Sequence, residues 1–393
     1  MRSPADVLAM NESGKMIYFD CNASAPMAPV CVDAALQYMD GAFGNPSSKH
    51  SAGEAAKHAL DEARAQVARL LNALPAEVAF TSGGTEGNHA AILGALAAAP
   101  SKKHIVTSVV EHPSSLLLCK NLEAQGVRVT YLRVDAAGRL DLQELHEAIG
   151  GDTALISLMW ANNETGVVFP VADIARIAQA KGVLFHSDAV QAAGKLPIDV
   201  KSVPVDMLTL SGHKLHAPPG IGVLYLRKGV KLPPLLFGHQ ERGRRGGTEN
   251  MPGIVALGIA GLLASDGLRA EMPRVAALRN RLESGLLKRF PFATVNGAGA
   301  ERVANTANIR FGDLNAEALM HKLDQAGVCV SQGAACSAGG SEPSHVLTAM
   351  GLSPEAALAS IRFSLGRDNS ADEVDHVLEL LTEIVESGVA NAA

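Results

Sequence analysis

From about Met16 to Val255, short apolar runs alternate with helical stretches. Val78–Thr81 predicts a strand and Glu86–Ala99 the helix that follows it. Further runs rich in Val, Ile and Leu lie at His104–Val110, Arg128–Val134, Ala154–Met159, Val183–His186, Met207–Leu210 and Gly222–Leu226. The spacing between them leaves room for helices such as Ala172–Gln179. Near-continuous apolar strands separated by helices predict a mostly parallel sheet with both faces covered. In open sheets of this kind ligands bind at the carboxyl ends of the strands, and polar, Gly-rich residues recur there.

After Gly253 the pattern changes to a long Ala- and Leu-rich helical stretch running through Leu286 and Arg289. A strand at Asn305–Phe311, a helix at Ala316–Ala326, a strand at Val328–Ser331 and a helical C-terminus follow. This predicts a large α/β domain over residues 16–260 and a smaller α+β domain over 261–393, with residues 1–15 packed beside the smaller one. No internal repeat or low-complexity segment interrupts the pattern.

Composition narrows the class. A chain of 393 residues is too long for one ordinary core, and 47% hydrophobic with 19% charged residues suits a folded enzyme. The net charge of -6 argues against a dedicated nucleic-acid or anionic-membrane surface. No apolar run is expected to approach the roughly 20 residues that span a bilayer. The N-terminal stretch mixes Arg2, Asp6, Glu12 and Lys15 and lacks the design of a secretory signal, so a cytoplasmic protein is expected. Five cysteines are present, at 21, 31, 119, 329 and 336, an odd number without CxxC. Neither a disulfide framework nor a metal site is expected. Cys31 and Cys119 read as small buried hydrophobes, and Cys329, in an apolar run, reads as structural.

Candidate chemistry gathers at the strand ends. Ser211-Gly212-His213-Lys214 directly follows the strand ending at Leu210. A Lys among small residues there can reach a carbonyl cofactor and form a Schiff base. Ser187-Asp188-Ala189-Val190-Gln191 ends another strand, and a buried Asp there suits a protonated pyridine nitrogen. Thr81-Ser82-Gly83-Gly84-Thr85-Glu86-Gly87-Asn88 runs from strand into helix, as a phosphate-binding turn would. It is not the GxxxxGK[ST] of a nucleotide P-loop. His112, in Glu111-His112-Pro113, reads equally as a ring-stacking imidazole or a strand-end cap. Cys336 lies in Gln332-Gly333-Ala334-Ala335-Cys336-Ser337-Ala338-Gly339-Gly340, small residues that suit a mobile loop carrying a thiol.

With these residues in view, the chain resembles the fold-type I pyridoxal-phosphate enzymes, and within them the cysteine desulfurases. The matching stretches include Phe19–Ala23, Gly44–Ser48, Thr81–Asn88, Ala161–Gly166, Phe185–Gln191, Leu210–Lys214, Glu241–Asn250 and Ser331–His345, nearly the whole chain. The resemblance implies pyridoxal 5'-phosphate bound through Lys214, with Asp188 at the pyridine nitrogen. Gln191 would bond the phenolic oxygen and His112 would stack on the ring. Gly84, Thr85, Ser211 and His213 would hold the phosphate, with Thr248 reaching it from the neighbouring subunit of a homodimer. Asn163, Arg362 and Asn22 would bind the substrate, Arg362 by clamping its carboxylate.

The implied reaction converts L-cysteine to L-alanine and leaves a persulfide on Cys336, with Lys214 and His112 as acid–base groups. An iron–sulfur scaffold, NifU-like or IscU-like, would accept the sulfur. Cys336 is then a candidate cluster contact during transfer. The strings His239–Arg245 and His216-Ala217-Pro218 are more similar to the NifS, nitrogen-fixation type than to the housekeeping type. Departures from the usual pattern occur at Cys21, Pro219 and Ser337–Gly340, and none falls on a cofactor residue. A selenocysteine lyase, another fold-type I lyase or aminotransferase, and a non-catalytic cofactor-binding scaffold are the competing readings.

Overall fold

The computed structural model describes residues 16–332 and 342–388. Strand β1 (Ile17–Tyr18) precedes two helices, Pro29–Asp40 and Ser51–Leu71. The strands of the main sheet follow: β2 (Val78–Thr81), β3 (His104–Ser108), β4 (Arg128–Leu132), β5 (Thr153–Ser157), β6 (Leu184–Asp188), β7 (Met207–Ser211) and β8 (Gly222–Leu226). Their order is β2-β8-β7-β6-β5-β3-β4. Only β8 runs against its neighbours, so the mostly parallel sheet predicted from the apolar runs is present. Every residue of β3, β5, β7 and β8 is buried, which is why these runs show no polar alternation. Asp188 and Ser211 are the last residues of β6 and β7 rather than loop residues beyond them.

From β3 the chain goes outward to the edge strand β4 and then returns to β5 on the other side of β3. Such a reversal leaves a crevice beyond the carboxyl ends of the adjoining strands.

The 39-residue helix Met251–Arg289 is capped by Asn250, whose side chain accepts from Gly253 N. By length and composition this helix is apolar enough to span a bilayer, contrary to the expectation from the sequence. Its apolar residues instead serve two cores. Ile254, Leu257 and Ala260 pack in the core around the main sheet. Val275, Leu278, Leu282 and Leu286 belong to a second core, together with Ile17 and Phe19.

That second core is roofed by β9 (Ala293–Val295), β10 (Thr306–Phe311) and β12 (Ser360–Ser364), an antiparallel sheet ordered β12-β10-β9. Strand β11 (Val328–Cys329) stops two residues before the predicted end and pairs with β1 instead. Helices Ala316–Gln325 and Ala371–Glu386 cover the outside. Isolated pairings of Asp20 with Ser364 and of Ser331 with Arg362 bring β12 against the residues that follow β1 and β11.

Candidate active site

Lys214 ends the short turn Gly212–Lys214 that follows β7. Its Nζ donates to the carbonyls of Asn22 and Ala23, both at 2.5 Å. The amine is thus held over the strand ends, with its donors on backbone oxygen. Asp188 is buried, and its carboxylate accepts from Asn88 Nδ2 at 2.7 Å and from Val190 N at 3.0 Å. Asn88 also donates to Ser114 Oγ at 3.0 Å, so one buried amide joins the β2, β6 and β3 ends.

Helix Gly84–Ala98 begins with no side-chain cap. Gly83, its N-cap, has φ 157° and ψ −174°, a conformation essentially reserved for glycine. A Cβ at Gly84 would approach Val190 Cγ2 to 3.1 Å, so the turn lies close against the β6 end. Uncapped amide groups at a helix N-terminus attract an anion. Thr85, Ser211 and His213 line the cavity with Gly84. Burial, followed by the charge of Lys214, pushes the His213 imidazole down to about 4.

His112 caps helix Pro113–Ala124: its Nδ1 accepts from Ser114 N at 3.1 Å. In the neutral ring this leaves the proton on Nε2. Burial lowers the imidazole below its ordinary value; Asp188 opposes that effect, while Lys214 and His345 reinforce it. The two sequence readings of His112 are therefore compatible, since it caps a helix and also lines the cavity. Glu111 beside it is buried, accepts from Ser108 Oγ at 2.7 Å and from Met159 N at 3.0 Å, and is pushed up to about 8 by burial.

Arg362 comes from β12, across the boundary between the two cores. Its Nη2 donates to Asp20 Oδ1 at 2.7 Å and its Nη1 to the Asn163 carbonyl at 3.1 Å. Asn22 is heavily bonded. Its Nδ2 donates to the Asn163 carbonyl and Thr306 Oγ1, and its Oδ1 accepts from Lys195 and Asn305. Asn22 thus braces the site, and its side-chain amide is engaged within the protein. Gln191 Nε2 donates to the Asn22 carbonyl at 3.0 Å.

Lys214, Asp188, His112, Gln191, Gly84, Thr85, Ser211, His213, Asn163, Arg362 and Asn22 all line one cavity of about 680 Å³. Cys336 lies outside the described residues. Thr248 is exposed and does not line this cavity within the chain. Sequence reasoning gave no role to Asp20, Asn88, Glu164, Lys195 or His345. Asp20, Asn88, Glu164 and His345 sat inside quoted motifs, but Lys195 carried no local signal.

The class-V aminotransferase family matches residues 17–377. The chain belongs to that family. Class-V aminotransferases of this kind depend on pyridoxal phosphate, and this chain is such an enzyme. It is 53% identical to a protein named cysteine desulfurase 2 from Trichormus variabilis, over 94% of this chain and 93% of the relative. It is 47% identical to cysteine desulfurase NifS from Azotobacter vinelandii, covering 94% and 92% respectively. Among solved structures, one titled NifS-like protein superposes with a TM-score of 0.89 at 35% identity, covering 95% of this chain and 100% of that one.

The class-V cofactor suits the donor set. An amine and a carboxylate line the same cavity as an uncapped helix start, and the volume falls within the few hundred to about 1,000 Å³ of cofactor sites.

Proposed function

We propose that this chain turns L-cysteine into L-alanine and deposits the sulfur as a persulfide on Cys336. It is a pyridoxal-phosphate-dependent cysteine desulfurase of the NifS type. Atoms balance: the cysteine thiol and the Cys336 thiol yield alanine and Cys336–S–SH. The observation that carries the reading is the convergence of Lys214, Asp188, His112 and Arg362 on one cavity.

Bound pyridoxal phosphate supplies an electron sink next to the substrate α-carbon. Lys214 holds the cofactor and moves the α-proton. Asp188, fixed by Asn88, keeps the pyridine nitrogen protonated, and Gln191 donates to the phenolic oxygen. The N-terminus of helix Gly84–Ala98, with Thr85, Ser211 and His213, receives the phosphate, joined by Thr248 of a second copy in a homodimer. Arg362 and Asn163 bind the substrate carboxylate. His112, with Nε2 protonated, exchanges a proton with the substrate thiol. Cys336 is five residues beyond Ser331, whose backbone pairs with Arg362. Five extended residues reach roughly 17 Å, enough for the thiol to meet a substrate held by Arg362.

The sulfur then passes to an iron–sulfur scaffold, NifU-like or IscU-like, in the cytoplasm. The test is alanine and sulfide formation from cysteine by the purified holoprotein, with mass detection of the Cys336 peptide. Equal alanine and sulfur, with +32 Da on that peptide, are expected. Alanine formation without any sulfur on Cys336 would overturn the assignment.

A further inference from the structure

Beneath the cavity lies a second lysine that the reaction as described leaves without a role. Lys195 follows the turn that leaves β6, and its Nζ donates to Gln191 Oε1 at 2.5 Å and Asn22 Oδ1 at 3.0 Å. Gln191 in turn donates through Nε2 to the Asn22 carbonyl, which also accepts from Lys214 Nζ. Lys195 and Lys214 both line a second, small pocket. Lys195 is therefore joined to Lys214 through Asn22, both directly and by way of Gln191.

An ammonium has only donors, whereas a side-chain amide has a donor end and an acceptor end that can exchange by a flip. An ammonium against Gln191 Oε1 forbids the flipped state, because two donor groups would then face each other. We infer that Lys195 is a positioning residue: it locks the Gln191 amide with its N–H end toward the Lys214 side of the cavity. The inference deepens the proposed function and rests on Gln191 facing the cofactor's phenolic oxygen. With Lys195 charged, Gln191 offers that oxygen N–H and never C=O. The second bond, to Asn22 Oδ1, holds the residue whose carbonyl receives Lys214.

Burial, reinforced by the charges of Lys214 and Arg362 and opposed by Cys21, brings the Lys195 ammonium down to about 7. Glu271, Arg367 and His216 line the same small space and complete its charged surroundings. The lock is thus strongest on the acid side of neutrality, when Lys195 is fully protonated.

The pH midpoint of the bound cofactor's visible absorbance band tests this without reference to turnover. Lys195→Met removes the donor that holds Gln191 Oε1, leaving the amide held only through Nε2 on the Asn22 carbonyl, and takes away a cation beside Lys214. Both changes make a proton on the Lys214–cofactor nitrogen easier to keep, so the midpoint should rise by about one pH unit. Lys195→Arg keeps charge and donors and should restore a value near that of the unaltered protein. Lys195→Gln can donate or accept, and should fall between Arg and Met even if the Met variant holds cofactor poorly. In a Gln191→Met background the Lys195→Met shift should shrink by at least half.

If Gln191→Met alone leaves the midpoint unmoved, the reading of Gln191 fails. If Gln191→Met moves it and Lys195→Met does not, the positioning role of Lys195 is overturned. An undiminished Lys195→Met shift in the Gln191→Met background likewise excludes action through the amide.

Discussion

Arg362 and Asp20 form an ion pair of 2.7 Å between a strand of the smaller sheet and the first loop of the chain, with the guanidinium side chain only 2% exposed. A buried cation of this kind needs its partner, since removing one member of a buried pair costs about 3–5 kcal/mol. Asp20→Asn should therefore lower the melting temperature by several degrees while leaving Arg362 aimed at the cavity. Equal melting temperatures for Asp20→Asn and the unaltered protein would remove the pair from the stability account.

Arg362 should show itself separately in kinetics. Arg362→Lys retains the charge but loses the fork that grips a carboxylate with two parallel bonds. KM for cysteine is expected to rise about 10- to 100-fold, corresponding to about 1.5–3 kcal/mol for a hydrogen bond to a charged group. Steady-state kinetics over a wide cysteine range decides the matter. An unchanged KM rules out a carboxylate clamp.

Asn88 donates to the Asp188 carboxylate at 2.7 Å, so Asn88→Asp would place two carboxylates in contact. Like charges at that distance cannot both stay ionised, and one must hold a proton. The expected result is cofactor affinity weakened about 10-fold or more, with the loss growing toward alkaline pH. Equilibrium dialysis of the cofactor across pH 6–9 measures it, and pH-independent affinity equal to that of the parent protein refutes it.

Glu111 carries a pH signature of stability. Its carboxyl has an ordinary value of 4.5 and is pushed up to about 8 in the fold, mainly by burial. The folded state therefore holds the proton more tightly than the unfolded chain does. That stabilisation is complete below about 4.5 and is lost as pH rises through about 8. Glu111→Gln keeps an oxygen for Met159 N but cannot ionise. Its melting temperature should fall less between pH 5 and pH 9 than that of the parent, by a few degrees. Parallel curves for the two proteins contradict this.

The two candidate thiols should separate cleanly. Cys336→Ser should retain the cofactor's absorbance and its spectral response to cysteine, yet release almost no alanine or sulfide, because a hydroxyl is a poor nucleophile toward sulfur. Cys329 sits in β11 beside Tyr18, and burial raises its thiol above the ordinary value. Cys329→Ser should keep its activity and lose about 1 kcal/mol of stability. Persulfide found on Cys329 rather than Cys336 reverses the assignment.

Sequence alone determined the main sheet and the residues at its strand ends, because both are written locally. Short Val-, Ile- and Leu-rich runs bounded by turn residues favour buried strands, and glycines, Lys214, Asp188 and His112 occur within a few residues of where those runs stop. The resemblance carried by those motifs implied that the strand ends face one cofactor. Tertiary structure alone decided how the side chains engage. Arg362 meets Asp20 across 342 residues, Lys195 meets Asn22 across 173, and Asn88 meets Asp188 across 100. No spacing rule carries such contacts, since they exist only once two cores have packed around the helix Met251–Arg289. The apolar length of that helix likewise acquires its meaning from packing: the same residues that fit a bilayer by composition fill two protein cores here. A hydrophobic run records that burial is favourable, and only the fold specifies what it is buried against.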